Sequence, residues 1–163
     1  MRNPLAARRS RSRRGQSLVE FALILPFLLA FAGAGTDLAR AYSAWLTLES
    51  AARNAAEYTA TSSTDATDAQ TDAQRIVCLE SQKIPGFAAG TGAKPLETCT
   101  SPTVTVTWST SSSQSVGGST KYPVGTARVQ VSIPFSTLIP YPFLPQGSLS
   151  LSADRTYSVV RGR

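Results

Sequence analysis

The chain has 163 residues and no histidine, so the commonest general base and the commonest metal ligand are missing together. Its formal charge of +6 is confined to one end: six arginines (Arg2, Arg8, Arg9, Arg11, Arg13, Arg14) precede Gly15, and from Gln16 onward ten basic and ten acidic residues cancel. A leader of that kind is not a nucleic-acid footprint, which would spread over a folded face, so no nucleic-acid partner is expected.

Residues 1–15 read as a basic leader. From Leu18 to Gly35 the sequence LVEFALILPFLLAFAGAG is apolar apart from Glu20. As a helix it spans about 27 Å, just short of a typical hydrocarbon core. The flanking arginines then predict a single pass with a cytoplasmic N-terminus and the rest of the chain outside. Pro26 removes one backbone hydrogen bond, so a kink or local melting is expected there.

The helical period continues past the apolar run. Ala41, Trp45, Leu48, Ala52, Ala55 and Thr59 form one stripe of mostly small side chains, and Glu49, Arg53 and Glu57 form an i, i+4 ladder. One helix is expected over residues 16–61, half in the membrane and half projecting from it. TSSTDATDAQTDAQ then gives a polar joint and a second, short helix reaching Ser81. Asp65, Asp68 and Asp72 would share one solvated face, since the alternating ligands and glycine of a calcium loop are lacking. Residues 84–102 read as a loop rich in proline and glycine.

Beyond it the period changes to two. Val104, Val106 and Trp108 alternate with threonines; Val129, Val131, Ile133 and Phe135 alternate with polar residues or Pro134; Leu149 and Leu151 alternate with serines, and Tyr157 and Val159 extend that run. The expectation is an α+β chain whose exported part, residues 62–163, carries a small three- to four-stranded antiparallel sheet with one face packed on helix. Pro134 marks a strand end at an edge or exit. A polar loop is expected near Ser109–Thr120, and LIPYPFLP at 138–145 reads as a plug for the core or a docking surface. Cys78 and Cys99 cannot complete a zinc site without other ligands. In an exported chain they read as one disulfide rather than two free thiols, worth roughly 3 kcal/mol in the chain-entropy model.

No cofactor or metal site is expected, and no enzyme: serines are plentiful, but nothing is present to activate one, and no phosphate-binding or dinucleotide motif occurs. The informative residues are those of RSRRGQSLVEFALILPF. A carboxylate in hydrocarbon costs a few kcal/mol and marks function by default. Were the chain cut after Gly15, the new α-amino group of Gln16 could neutralise Glu20 on the same or a neighbouring helix.

Gly15, four spacers, then Glu20 and Phe21 inside an arginine-led apolar helix resemble the processing site of type IVb prepilins. RGQSLVEFALILPF followed by DLARAYSAWLTLESAARNAAEYTA resembles, more narrowly, the TadE-like family of minor pseudopilins in the tight-adherence (Flp) pilus machinery. VTVTW, ARVQVSIPFSTLIPYPFLP and GSLSLSADRTYSVV are similar to the β-rich tail of such proteins. The resemblance implies Gly15 before the cut of a membrane prepilin peptidase, Gln16 as mature N-terminus, and Glu20 as assembly carboxylate. It also implies a bacterial inner-membrane location, with that peptidase, other pilins or pseudopilins of the same machinery and membrane lipid as partners. The chain is much longer than a major Flp pilin, which implies a minor component; TadF- and TadG-like proteins share the leader style. Two other readings are a soluble domain released by signal peptidase at Ala30-Phe31-Ala32, and an uncut single-pass envelope or adhesion protein.

Overall fold

The computed structural model describes residues 13–116, 120–138 and 149–160. Five elements follow in chain order: helix α1 (Arg13–Ser62), helix α2 (Ala66–Glu80), and strands β1 (Thr103–Val116), β2 (Thr120–Phe135) and β3 (Leu149–Val160). The strands form an antiparallel sheet in the order β1-β2-β3. The fold is thus α+β, with one layer of helix on one face of a three-stranded sheet.

α1 is a single helix of 50 residues, unbroken at Pro26. The expected local melting is not seen: proline deletes the one bond its own nitrogen would have made to Ala22, and the turns on either side keep theirs. The N-terminal half is exposed on all sides from Leu18 to Phe31. By length and composition α1 can cross a membrane.

The C-terminal half of the same helix forms the centre of the core. Ala44, Leu48, Ala51, Ala52, Ala55, Ala56, Thr59 and Ala60 are buried. They face the inward side of the sheet (Ala127, Val129, Val131, Ile133, Phe135 and Ala153) and α2 (Ala69, Ala73, Val77). Alanine at most of these positions lets helix backbone approach both neighbours closely and gives up no rotamer freedom when buried. Of the small-residue stripe, Leu48, Ala52, Ala55 and Thr59 are therefore occupied within the chain, whereas Trp45 turns outward and is 37% exposed. The Glu49, Arg53, Glu57 ladder is also redirected: Glu49 pairs with Arg155 on β3.

α2 begins at an N-cap. Asp65 Oδ1 accepts the backbone N–H groups of Thr67 and Asp68, both at 2.8 Å, satisfying two of the donors a helix start leaves unpaired. This departs from the expected aspartate face: Asp65 precedes the helix, Asp68 accepts from the Thr64 hydroxyl, and Asp72 pairs with Arg75. At its far end a Cys78–Cys99 disulfide, with Cα atoms 5.5 Å apart, ties α2 to the loop before β1. That loop clamps the end of β2 at Gly86, whose φ of +91° excludes most side chains; a Cβ there would lie 2.3 Å from the Pro134 carbonyl.

β1 extends through Val116, where a polar loop was expected from Ser109; only 117–119 fall outside the described residues. Serine and threonine carry no alternation to read, yet they pair well in a hairpin, and the register shift between Ser111 and Gln114 accommodates the irregularity. β2 is the central strand, and its Pro134 lies opposite Ser150 of β3 but beyond Thr103↔Ser132, where β1 pairing begins. Proline is tolerated at a strand end left open on one side. Leu138 is described, but the rest of the LIPYPFLP segment lies outside the described residues.

The solvent face of the sheet is polar. The Arg128 guanidinium bridges diagonally to Asp154, its Nε 3.1 Å from both carboxylate oxygens, and Gln130 donates to the same carboxylate. Hydrogen bonding from Arg128 holds the Asp154 carboxyl below the ordinary carboxylate range, despite the opposing effect of burial. Since the folded value is the lower one, the pair supports the fold at neutral pH, and its contribution is lost as pH falls through that value. Solvent screening of this exposed pair keeps it small.

β1 has an outer edge, and α2 covers part of it. Gln70 Nε2 donates to the Val104 carbonyl at 2.9 Å, while Gln70 Oε1 accepts the Val106 N–H at 3.0 Å. One side-chain amide thus replaces the missing neighbouring strand. Gln70→Ala leaves both groups without that partner, and a loss of about 1–3 kcal/mol in unfolding free energy is expected. Amide exchange at Val106 should quicken in the variant more than at Val131, which has its partner in the sheet.

Candidate functional site

The residues singled out by the sequence lie at the two ends of the apolar half of α1. At the entry end, Gly15 stands in the first turns of the helix, fully open to its surroundings: a Cβ placed there would meet nothing within 4 Å. Gln16 and Glu20 are one turn apart on one face, and Gln16 Nε2 donates to Glu20 Oε1 at 3.2 Å. Glu20 and Phe21 are exposed. The carboxylate therefore points away from the chain's own core, at the edge of a run of exposed leucine, isoleucine and phenylalanine side chains. In hydrocarbon such a carboxylate calls for a cation or a proton.

At the exit end, the apolar run stops at Thr36-Asp37, and here sequence reasoning missed the main feature. The Thr36 hydroxyl is satisfied within the helix by the Ala32 carbonyl at 2.9 Å. Asp37 is buried, 5% exposed, at the foot of the domain. Its Oδ1 accepts from the Arg40 guanidinium at 3.1 Å and from the Leu138 backbone N–H at 2.9 Å. Arg40 also lies over the Phe135 ring, 5.7 Å from its centroid. The helix is thereby pinned to the chain leaving β2 by a carboxylate 101 residues earlier in the sequence. An acid and a base at i, i+3 directly after an apolar run was the available signal; the third partner was not.

A third feature is an open groove of about 710 Å³ between α1 and β3, lined among others by Leu46, Glu49, Arg53, Glu57, Arg155 and Tyr157. Its charges alternate, and the Glu49–Arg155 pair crosses it. Nothing in that lining forms a nucleophile with its base. Among the described residues no cluster of three or more acidic, cysteine or histidine side chains has the geometry to hold a metal ion.

Removing the Asp37 side chain tests the junction. Asp37→Ala leaves the Leu138 N–H and the Arg40 guanidinium without their shared acceptor, and should cost about 1–3 kcal/mol in stability. The Leu138 amide should exchange faster, while Asp37→Asn, which keeps an acceptor oxygen, should preserve most of its protection.

Comparison with known proteins gives one family: the model described as TadE-like protein matches residues 15–57. The match opens at Gly15, takes in Glu20 and Asp37, and ends within α1. The sheet lies beyond it. No curated protein matches the chain, and no solved structure does.

Proposed function

We propose that the chain is a TadE-like, membrane-anchored minor pilin subunit that enters or primes a tight-adherence pilus, as a structural component and not an enzyme. The observation that carries the reading is the entry end of α1. Gly15, Gln16, Glu20 and Phe21 stand in the prepilin spacing, on an exposed apolar helix, inside the segment that resembles the TadE-like family. A prepilin peptidase on the cytoplasmic side cuts after Gly15. Gln16 then carries a new ammonium group one helical turn from Glu20, or lends it to Glu20 of a neighbouring subunit. Pairing the two in a low-dielectric layer rewards one register of helix packing over others.

Membrane anchoring agrees with the all-round exposure of the apolar half of α1. The arginine leader sets the N-terminus in the cytoplasm and the sheet outside the inner membrane. The disulfide suits that oxidising side. Release by signal peptidase at Ala32 is disfavoured, because α1 runs through that position with no turn or break. The uncut envelope-protein reading gains support from one observation: Leu48, Ala52, Ala55 and Thr59 of the small-residue stripe are buried within the chain and are not free to meet sister helices. The apolar half is exposed and open to contacts between subunits, which leaves the Glu20 end as the discriminating element.

The Glu20→Gln variant separates these readings. It retains side-chain size and hydrogen bonding but cannot pair with an ammonium ion. Loss of an interaction worth about 1.4 kcal/mol or more lowers incorporation into sheared pili or pilus-assembly complexes by about tenfold or more. Membrane insertion and protein level stay as in the parent. Undiminished incorporation of the variant would exclude the assembly role of this carboxylate.

A further inference from the structure

We infer that the foot of the domain is a membrane-contact surface, in which Leu38, Tyr42 and Trp45 of α1 and Leu138 after β2 sit in the lipid interface. The inference rests on the reading of α1 as a membrane-spanning helix and adds to it a bilayer contact made by the folded domain.

The length of the apolar run sets the depth of the helix. The run Leu18–Gly35 is too short to fill a hydrocarbon core by itself, and it holds Glu20 near its start. With Glu20 at the inner boundary, about 30 Å of helix at 1.5 Å per residue ends near Arg40. Leu38 then lies within the apolar layer. Tyr42 and Trp45 follow about 3 and 8 Å further out, within the depth of the headgroups. These two rings stack, with centroids 6.1 Å apart, and both face away from the core. Paired amphipathic rings at that depth are the usual anchors of a spanning helix.

The foot also presents large apolar side chains, and its buried acid is paired within the chain. Leu38 is 72% exposed, Leu138 63% and Tyr42 59%; among the described residues beyond Phe31 these are the three most exposed large apolar side chains. Among the described residues, the buried carboxylate at the foot is met within the chain. Asp37 is buried, its charge is met by Arg40, and the Leu138 N–H is consumed by Asp37. Backbone and charge without water must be paired internally, and here they are. Because that pair is internally neutral, the surface calls for no anionic lipid: it fits the boundary between headgroup and acyl chain of a zwitterionic bilayer.

The test uses the full chain in phosphatidylcholine vesicles whose acyl chains carry bromine either near the headgroup or near the methyl end. Trp45 and Trp108 are the two tryptophans. Brominated lipid should quench the parent protein, more strongly with the shallow label, and Trp45→Phe should abolish that quenching. In the Trp45→Phe background, Leu138→Trp should restore quenching by the shallow label, and Phe31→Trp should give quenching by the deep one. Quenching of the Phe31→Trp protein with none at position 45 or 138 would overturn the membrane-contact foot, leave the spanning helix standing, and free this surface for a second protein chain. Absence of quenching in all three would overturn the spanning reading as well.

Discussion

The structure depends on one constraint: a single unbroken helix carries two unlike surfaces. Over its first half α1 exposes large apolar side chains in every direction, which suits hydrocarbon. Over its second half it turns a strip of alanines to the sheet and to α2, and polar residues to water. Because no turn separates the halves, the depth and direction of the helix also fix the position of the sheet. A break anywhere between Ala30 and Ala44 would uncouple them.

The junction shows how the change of surface is managed. A carboxylate directly after an apolar run would ordinarily mark the boundary by reaching for water. Asp37 instead turns inward and accepts from the Arg40 guanidinium and the Leu138 N–H, so the helix is fastened to the chain leaving β2 where its exposed apolar half ends. Elsewhere the sheet relies on similar side-chain substitutes for backbone partners. Gln70 takes the place of a strand along β1, and Asp65 takes the place of a preceding turn at the start of α2. Few large side chains fill this core, and the small residues that let the helices lie close make such polar contacts geometrically possible.

Much of this was legible in sequence because it depends on period. The apolar run, the continuation of α1 past it, the second helix ending near Ser81, and the alternation of Val129, Val131, Ile133 and Phe135 are all patterns local in sequence. What could not be read depends on partners distant in sequence. Trp45 falls on the helical stripe by spacing, yet the buried face is set by where the sheet lies, and Ala44 and Ala51 take its place. The second half of β1 is serine and threonine, whose pairing owes nothing to an apolar face. Asp37 was invisible as a junction because its second partner is a backbone group after β2. The Gly15 to Phe21 motif was legible for the opposite reason: its spacing is local, and every residue in it lies within two turns of one helix.

The measurement that bears most directly on the account is the N-terminal sequence and intact mass of the protein recovered from its native membrane. The account predicts a chain that starts at Gln16, with Gly15 and the arginine leader removed and α1 otherwise whole. A start at Gly33 would mean that the apolar half is discarded and Glu20 has no part in the mature protein. An intact Met1 would leave the helix as an anchor and contradict the pairing of Glu20 with a new N-terminus.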